Sequence, residues 1–136
     1  MEKLQFNYND GGRSIYFRGK RVGDCCVRAA AIASGRDYME VYKMAQNLSG
    51  ESPRNGMKTK DCKALMEALG GVWEPFMKIG SGCKVHMRPG EVPTGRVVCR
   101  LSGHMVAVID GVVNDTYEDD RCGTRCIYGV WRFPDI

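Results

Sequence analysis

The chain has 136 residues, enough for one domain with a core of its own and too few to suggest two. A hydrophobic fraction of 43% and a charged fraction of 26% are ordinary for a soluble globular protein. No apolar run approaches the roughly 20 residues that span a bilayer, and a net charge of +4 over scattered Lys and Arg is too modest for a nucleic-acid footprint, so neither a membrane nor a nucleic acid is expected as partner.

The start, MEKLQFNYNDGGR, lacks the basic flank, apolar core and cleavage site of a secretory signal, which makes the cytoplasm the expected location. The seven cysteines (Cys25, Cys26, Cys62, Cys83, Cys99, Cys122 and Cys126) are an odd number without the paired clusters of a disulfide scaffold. In a reducing compartment most should be free.

Residues 1 to 22 mix aromatics with Gly, Asn and Asp. The turn signal NDGG separates two short extended pieces, so an irregular or hairpin-like lead-in is expected. Asp24 then offers an N-cap to CCVRAAAIAS, about three turns of Ala-rich helix ended by Gly35. Apart from Arg28 its faces are all apolar or small, the pattern of a helix buried in the middle of a domain. DYMEVYKMAQNL repeats the signal, with Asp37 as N-cap, Glu40 to complete a capping box, and Tyr38, Val41, Tyr42, Ala45 and Leu48 at helical spacing. After the loop GESPRNG, Thr59 can cap KDCKALMEAL and Gly70 can end it, so 23–70 forms a helical half.

From Val72 to Pro93, Gly, Pro and Lys interrupt short apolar pieces, which predicts irregular structure with one or two brief strands. RVVCRLS, HMVAVID, VVNDTYE and IYGVWRF are β-branched and aromatic runs separated by turn residues, which predicts an antiparallel meander over 95–133. Helices first and sheet second give an α+β fold, its buried helix packed on a C-terminal antiparallel sheet.

The helix start carries chemistry. A thiol is a poor nucleophile until ionised, and the unpaired N–H groups and positive dipole end at a helix N-terminus stabilise the thiolate. Cys25 occupies the first helical position, where that effect is largest. Cys26 lies about 100° further round and faces a different neighbour. A base is offered by SGHMVAVIDGVVNDTYE. Asp110-Gly111 between two apolar runs is a strong hairpin signal, and a two-residue turn there sets Ile109 against Val112 and Val108 against Val113. Counting back brings His104 and Asp115 onto one face as diagonal neighbours, roughly 7 to 8 Å apart at Cα. Asn114 points to the opposite face, although a three-residue turn would exchange the two. Asp110, roughly 20 Å along the strand, is better used by the turn. A histidine oriented by a carboxylate is the base that a thiol nucleophile needs. The constellation is Cys25, His104 and Asp115.

A Cys opening a helix, then a His on a strand, then an Asp on the next strand resembles the papain-like cysteine peptidases. GDCCVRAAAIASGRDYMEVY, GHMVAVIDGVVNDTYED and YGVW look most like the small single-domain papain-like proteins common in bacteriophages, and more distantly like the bacteriocin-leader-processing peptidases. The resemblance covers roughly Gly19 to Phe133. It implies a single papain-like domain over 1–136, hydrolysis or acyl transfer at a peptide or isopeptide bond of a peptide or protein substrate, and no cofactor. It also implies Cys25 as nucleophile, His104 as base and Asp115 as orienting acid. One departure stands upstream: these families usually place a Gln about six residues before the nucleophile as an oxyanion donor, and here Gly19 holds that position, with only Lys20 or Arg18 nearby. Loss of such a donor costs roughly 3 kcal/mol of transition-state stabilisation. The same fold without the chemistry, a binding protein of phage or plasmid origin, is therefore the alternative.

Two spacings hint at zinc, Cys83 to His86 and Cys122 to Cys126, but neither forms a tight knuckle, so no metal is expected. His86 is expected to be an exposed loop residue, Cys62 and Cys99 packing residues. Trp131 is expected either to shield the His104–Asp115 contact or to pack in the core.

Overall fold

The computed structural model describes residues 3–17, 23–53, 56–78, 80–118 and 123–135. The segment RGKR and Cys122 lie outside these residues, and with them Gly19, which stands where the upstream Gln is expected, and Arg18 and Lys20, weighed as substitute oxyanion donors. Four helices and six strands are formed among the described residues: β1 (Gln5–Tyr8), α1 (Arg13–Tyr16), α2 (Cys25–Ser34), α3 (Tyr38–Ser49), α4 (Thr59–Ala68), β2 (Val72–Pro75), β3 (Arg96–Leu101), β4 (His104–Ile109), β5 (Val112–Asp115) and β6 (Gly129–Phe133). The class is α+β, as the order of helical and extended patterns predicts.

The sheet departs from a simple meander. Its strand order is β1-β5-β4-β3-β6-β2, so β6 pairs with β3 and not with β5. The outer edge of β5 is taken instead by β1, in parallel, which makes the sheet mixed. The lead-in is thus a strand followed by one helical turn, not a hairpin. Its seat is prepared by polar side chains: the amides of Asn7 and Asn9 donate to Asn114 Oδ1 at 2.8 and 3.3 Å.

Both faces of the sheet are covered, which is why HMVAVI reads as an apolar run with little alternation. Val98, Met105, Ala107, Trp131 and Phe133 form one core with α2, α3 and α4. Val97, Cys99, Val106, Val108 and Val130 form a second core on the other face with Leu4, Met87, Val92 and Ile127. Helix α2 lies between the sheet and the other helices, with Cys26, Val27, Ala29, Ala30, Ala31 and Ala33 all buried. Its small side chains let the helix axis approach β4 closely. Gly35 ends it in the left-handed region at φ 73°, its N–H bonded to Ala31 O.

Three caps differ from expectation. Asp24 makes no cap bond, because its carboxylate turns inward to meet cations. Asp37 does cap α3 through Met39 N–H, but Glu40 pairs with Arg36 at 3.1 Å and leaves the capping box unformed. Thr59 is already helical, and Lys58 precedes it without a side-chain cap. Leu48, at helical spacing, is exposed.

Cys83 and Cys126 form a disulfide with 5.8 Å between Cα atoms. It fastens the long connection between β2 and β3 to the chain entering β6, beside the His86↔Cys126 bridge and the bond from Ile127 N–H to Val85 O. Separated by 43 residues, this pair is not signalled by spacing. It also withdraws one cysteine from each pair considered for zinc. Among the described residues, Cys25, Cys26, Cys62 and Cys99 are free thiols. His86 is partly buried, with Nδ1 3.0 Å from Glu91 Oε1, so it is not a loose loop residue. No helix among the described residues is long and apolar enough to cross a membrane.

Candidate active site

Three elements converge at the N-terminal end of α2. The hairpin of β4 and β5 has the two-residue turn that Asp110-Gly111 predicts: both residues have positive φ, 48° and 83°, and the rungs run from Ile109↔Val112 to Ala107↔Asn114. Asp110 serves the turn region, where its carboxylate accepts from Gly95 N–H at 2.8 Å. Beyond the last rung, His104 Nε2 meets Asp115 Oδ2 at 2.6 Å, with both side chains buried. Asn114 is engaged elsewhere, with Asn7 and Asn9. The two-residue register thus puts Asp115, and not Asn114, beside His104.

With Nε2 committed to Asp115, Nδ1 is the ring nitrogen left for a second partner. Cys25, at the start of α2, lies close enough to the imidazole for its thiol to favour the protonated ring. Cys25 is partly buried and packs at the margin of the helical core, whereas Cys26 is buried and turned to Cys62. The two adjacent thiols are thus separated by helical geometry into one that faces the histidine and one that faces the core.

Electrostatics follows from this arrangement. Burial disfavours the imidazolium, but the hydrogen bond to Asp115 and the neighbouring Cys25 thiol outweigh it and raise His104 from 6.5 to about 9. Burial alone pushes the Cys99 thiol up to about 12. Cys26 is also raised, by its hydrogen bond to Cys62 and then by burial. Within α2 the first amide to find a helical carbonyl is that of Arg28, bonded to Asp24 O at 3.0 Å. The preceding N–H groups, including that of Cys25, belong to the unpaired first turn and can stabilise negative charge there.

A buried polar network backs the three residues, and only Arg28, the one charge in an otherwise apolar helix, signals it in the sequence. Its Nη2 lies 3.7 Å from Asp115 Oδ1 and its Nη1 3.6 Å from Asp24 Oδ1. Nη1 also donates to Thr116 Oγ1 at 3.2 Å. Asp24 in turn accepts from Tyr38 Oη at 2.7 Å and pairs with Arg13 at 3.5 Å. Asp115 Oδ1 accepts from Thr116 N–H at 2.7 Å.

The ring lying against His104 is Tyr117, half-exposed, with centroids 5.5 Å apart. Trp131 takes the packing role: it is buried in the helical core with Trp73 4.5 Å away. A cleft of about 560 Å³ lies toward the other end of α2, lined by Asn7, Asn9, Arg36, Arg96 and Asn114 among others. Cys25, His104 and Asp115 do not line it. No group of three or more His, Cys, Asp or Glu able to hold a metal occurs among the described residues. In comparisons with known proteins, no family model, curated protein or solved structure matches the chain significantly.

Proposed function

We propose that this chain is a papain-like cysteine peptidase or a related acyl-transfer hydrolase that acts on a peptide or isopeptide bond. One observation carries the reading: a thiol at the mouth of a buried helix, an imidazole and a carboxylate meet in series although they come from positions 25, 104 and 115. A histidine bonded through one nitrogen to a buried carboxylate, with a thiol beside its ring, is arranged for nucleophilic catalysis.

In the reaction, the Cys25 thiolate attacks the acyl carbon and forms the S–C bond. The carbonyl oxygen becomes an oxyanion facing the first-turn amides of α2. Collapse breaks the C–N bond, and His104 gives its proton to the departing amine. Water, losing a proton to His104, then attacks the thioester and releases the acid, or a second amine takes the acyl group. Asp115 keeps the imidazole oriented and stabilises its charged form.

The missing upstream Gln favours the second reading, a papain-like binding protein that does not turn over. A mixed-sequence peptide library incubated with the protein and read by mass spectrometry separates the two. Cleavage or transfer products that vanish with Cys25→Ser support the enzyme. Intact peptides retained by both proteins support the binding protein.

A further inference from the structure

Resting on the reading of Cys25, His104 and Asp115 as a catalytic set, we propose that Arg28 is its positioning residue: it anchors Asp115 from behind, shares that carboxylate's charge, and so limits how firmly His104 holds its proton. The two oxygens of Asp115 are divided. Oδ2 faces His104, while Oδ1 takes Thr116 N–H and lies 3.7 Å from the Arg28 guanidinium. Both side chains are almost fully buried, where a cation acts on a neighbouring carboxylate with little screening. Arg28 is itself fixed. It extends from the helix that carries Cys25, one turn on from the nucleophile, and its Nη1 is held between Asp24 and Thr116. Asp24 is completely buried and braced by Arg13 of α1 and by Tyr38 of α3.

The groups around His104 are thus Asp115 and Tyr117 from the β5 side and Cys25 from α2, with Arg28, Asp24, Arg13 and Tyr38 behind them. Two cations, Arg13 and Arg28, balance two carboxylates, Asp24 and Asp115. Without the Arg28 charge, His104 becomes the sole cation beside Asp115 and holds its proton more tightly. A histidine that holds its proton too tightly is a weak acid toward the leaving amine.

The test uses NMR titration of the imidazoles, of which the chain has two, in the wild type, Arg28→Met and Arg28→Lys, together with the pH profile of Cys25 alkylation. Arg28→Met is expected to raise the His104 midpoint by about one pH unit, a typical effect of losing a charge that lies within about 4 to 6 Å of a buried titrating pair. The alkaline limb of Cys25 alkylation should move with it, and Arg28→Lys, which restores the charge, should return both toward the wild type. Should Arg28→Met fail to fold, Arg28→Gln with Asp24→Asn removes one cation and one carboxylate together, and a smaller upward shift is expected, because losing the Asp24 charge partly offsets losing that of Arg28. A His104 midpoint unchanged or lowered in the folded variant overturns the proposal. The catalytic reading fails separately, if His104→Ala leaves Cys25 alkylation as fast as in the wild type.

Discussion

His104 Nε2 and Asp115 Oδ2 stand 2.6 Å apart beyond the last β4–β5 rung, so the carboxylate occupies Nε2 and leaves Nδ1 as the nitrogen open to another partner. Asp115→Asn keeps the shape, removes the charge and allows the amide to present the wrong group to Nε2. Alkylation of Cys25 near neutral pH should slow by about 10²-fold, the lower end of what oriented general-base assistance contributes. The His104 midpoint should fall well below that of the wild type. Stopped-flow alkylation and imidazole titration check both, and a variant with wild-type rates would leave Asp115 without a role.

The same contact makes stability depend on pH. His104 has a folded-state value of about 9 against 6.5 for an ordinary histidine, so the folded protein holds this proton more tightly than the unfolded chain. The resulting stabilisation is complete below about pH 6.5 and is lost as the pH rises through about 9. Ionisation of Cys99, pushed up to about 12 by burial, adds a loss in the same direction at higher pH. The informative quantity is therefore the difference in thermal midpoint between wild type and His104→Gln. It should shrink between about pH 6 and about pH 10. A constant difference would contradict the account.

Reduction of Cys83–Cys126 reopens a long loop in the unfolded chain, and the loss typical of a native disulfide is about 2 to 4 kcal/mol. Thermal unfolding with and without a phosphine reductant should show a clear downward shift, reproduced by Cys83→Ser. Alkylation of Cys25 in the folded reduced protein should be little changed, since the bond lies among the second-core connections and not among the residues around His104.

How far the sequence reveals this arrangement varies with the range of the interaction. The Asp110-Gly111 turn is local chemistry, and because side chains alternate with a period of two it carries the register through to Val113 and the identity of Asp115. The Ala-rich helix is equally local: small or apolar residues on every face leave it nowhere but the interior. By contrast, β1 joins β5 in parallel through a contact spanning more than 100 residues, and nothing in QFNY distinguishes that edge from any other. The Cys83–Cys126 bond is hidden for the same reason. Asp24 shows a conflict of ranges: locally it is a good N-cap, but buried Arg13, Arg28 and Tyr38 offer its carboxylate stronger partners. Arg28 is visible in the sequence as an anomaly, a lone charge on a helix with no exposed face, while its two carboxylate partners are not.

The most direct measurement is limiting iodoacetamide at neutral pH, mapped by mass spectrometry, on the wild type and His104→Ala. Cys25 is expected to react fastest, ahead of buried Cys26, Cys62 and Cys99, and to lose this advantage in the variant. Preferential labelling of another free thiol, or a Cys25 rate indifferent to His104, would contradict the catalytic reading.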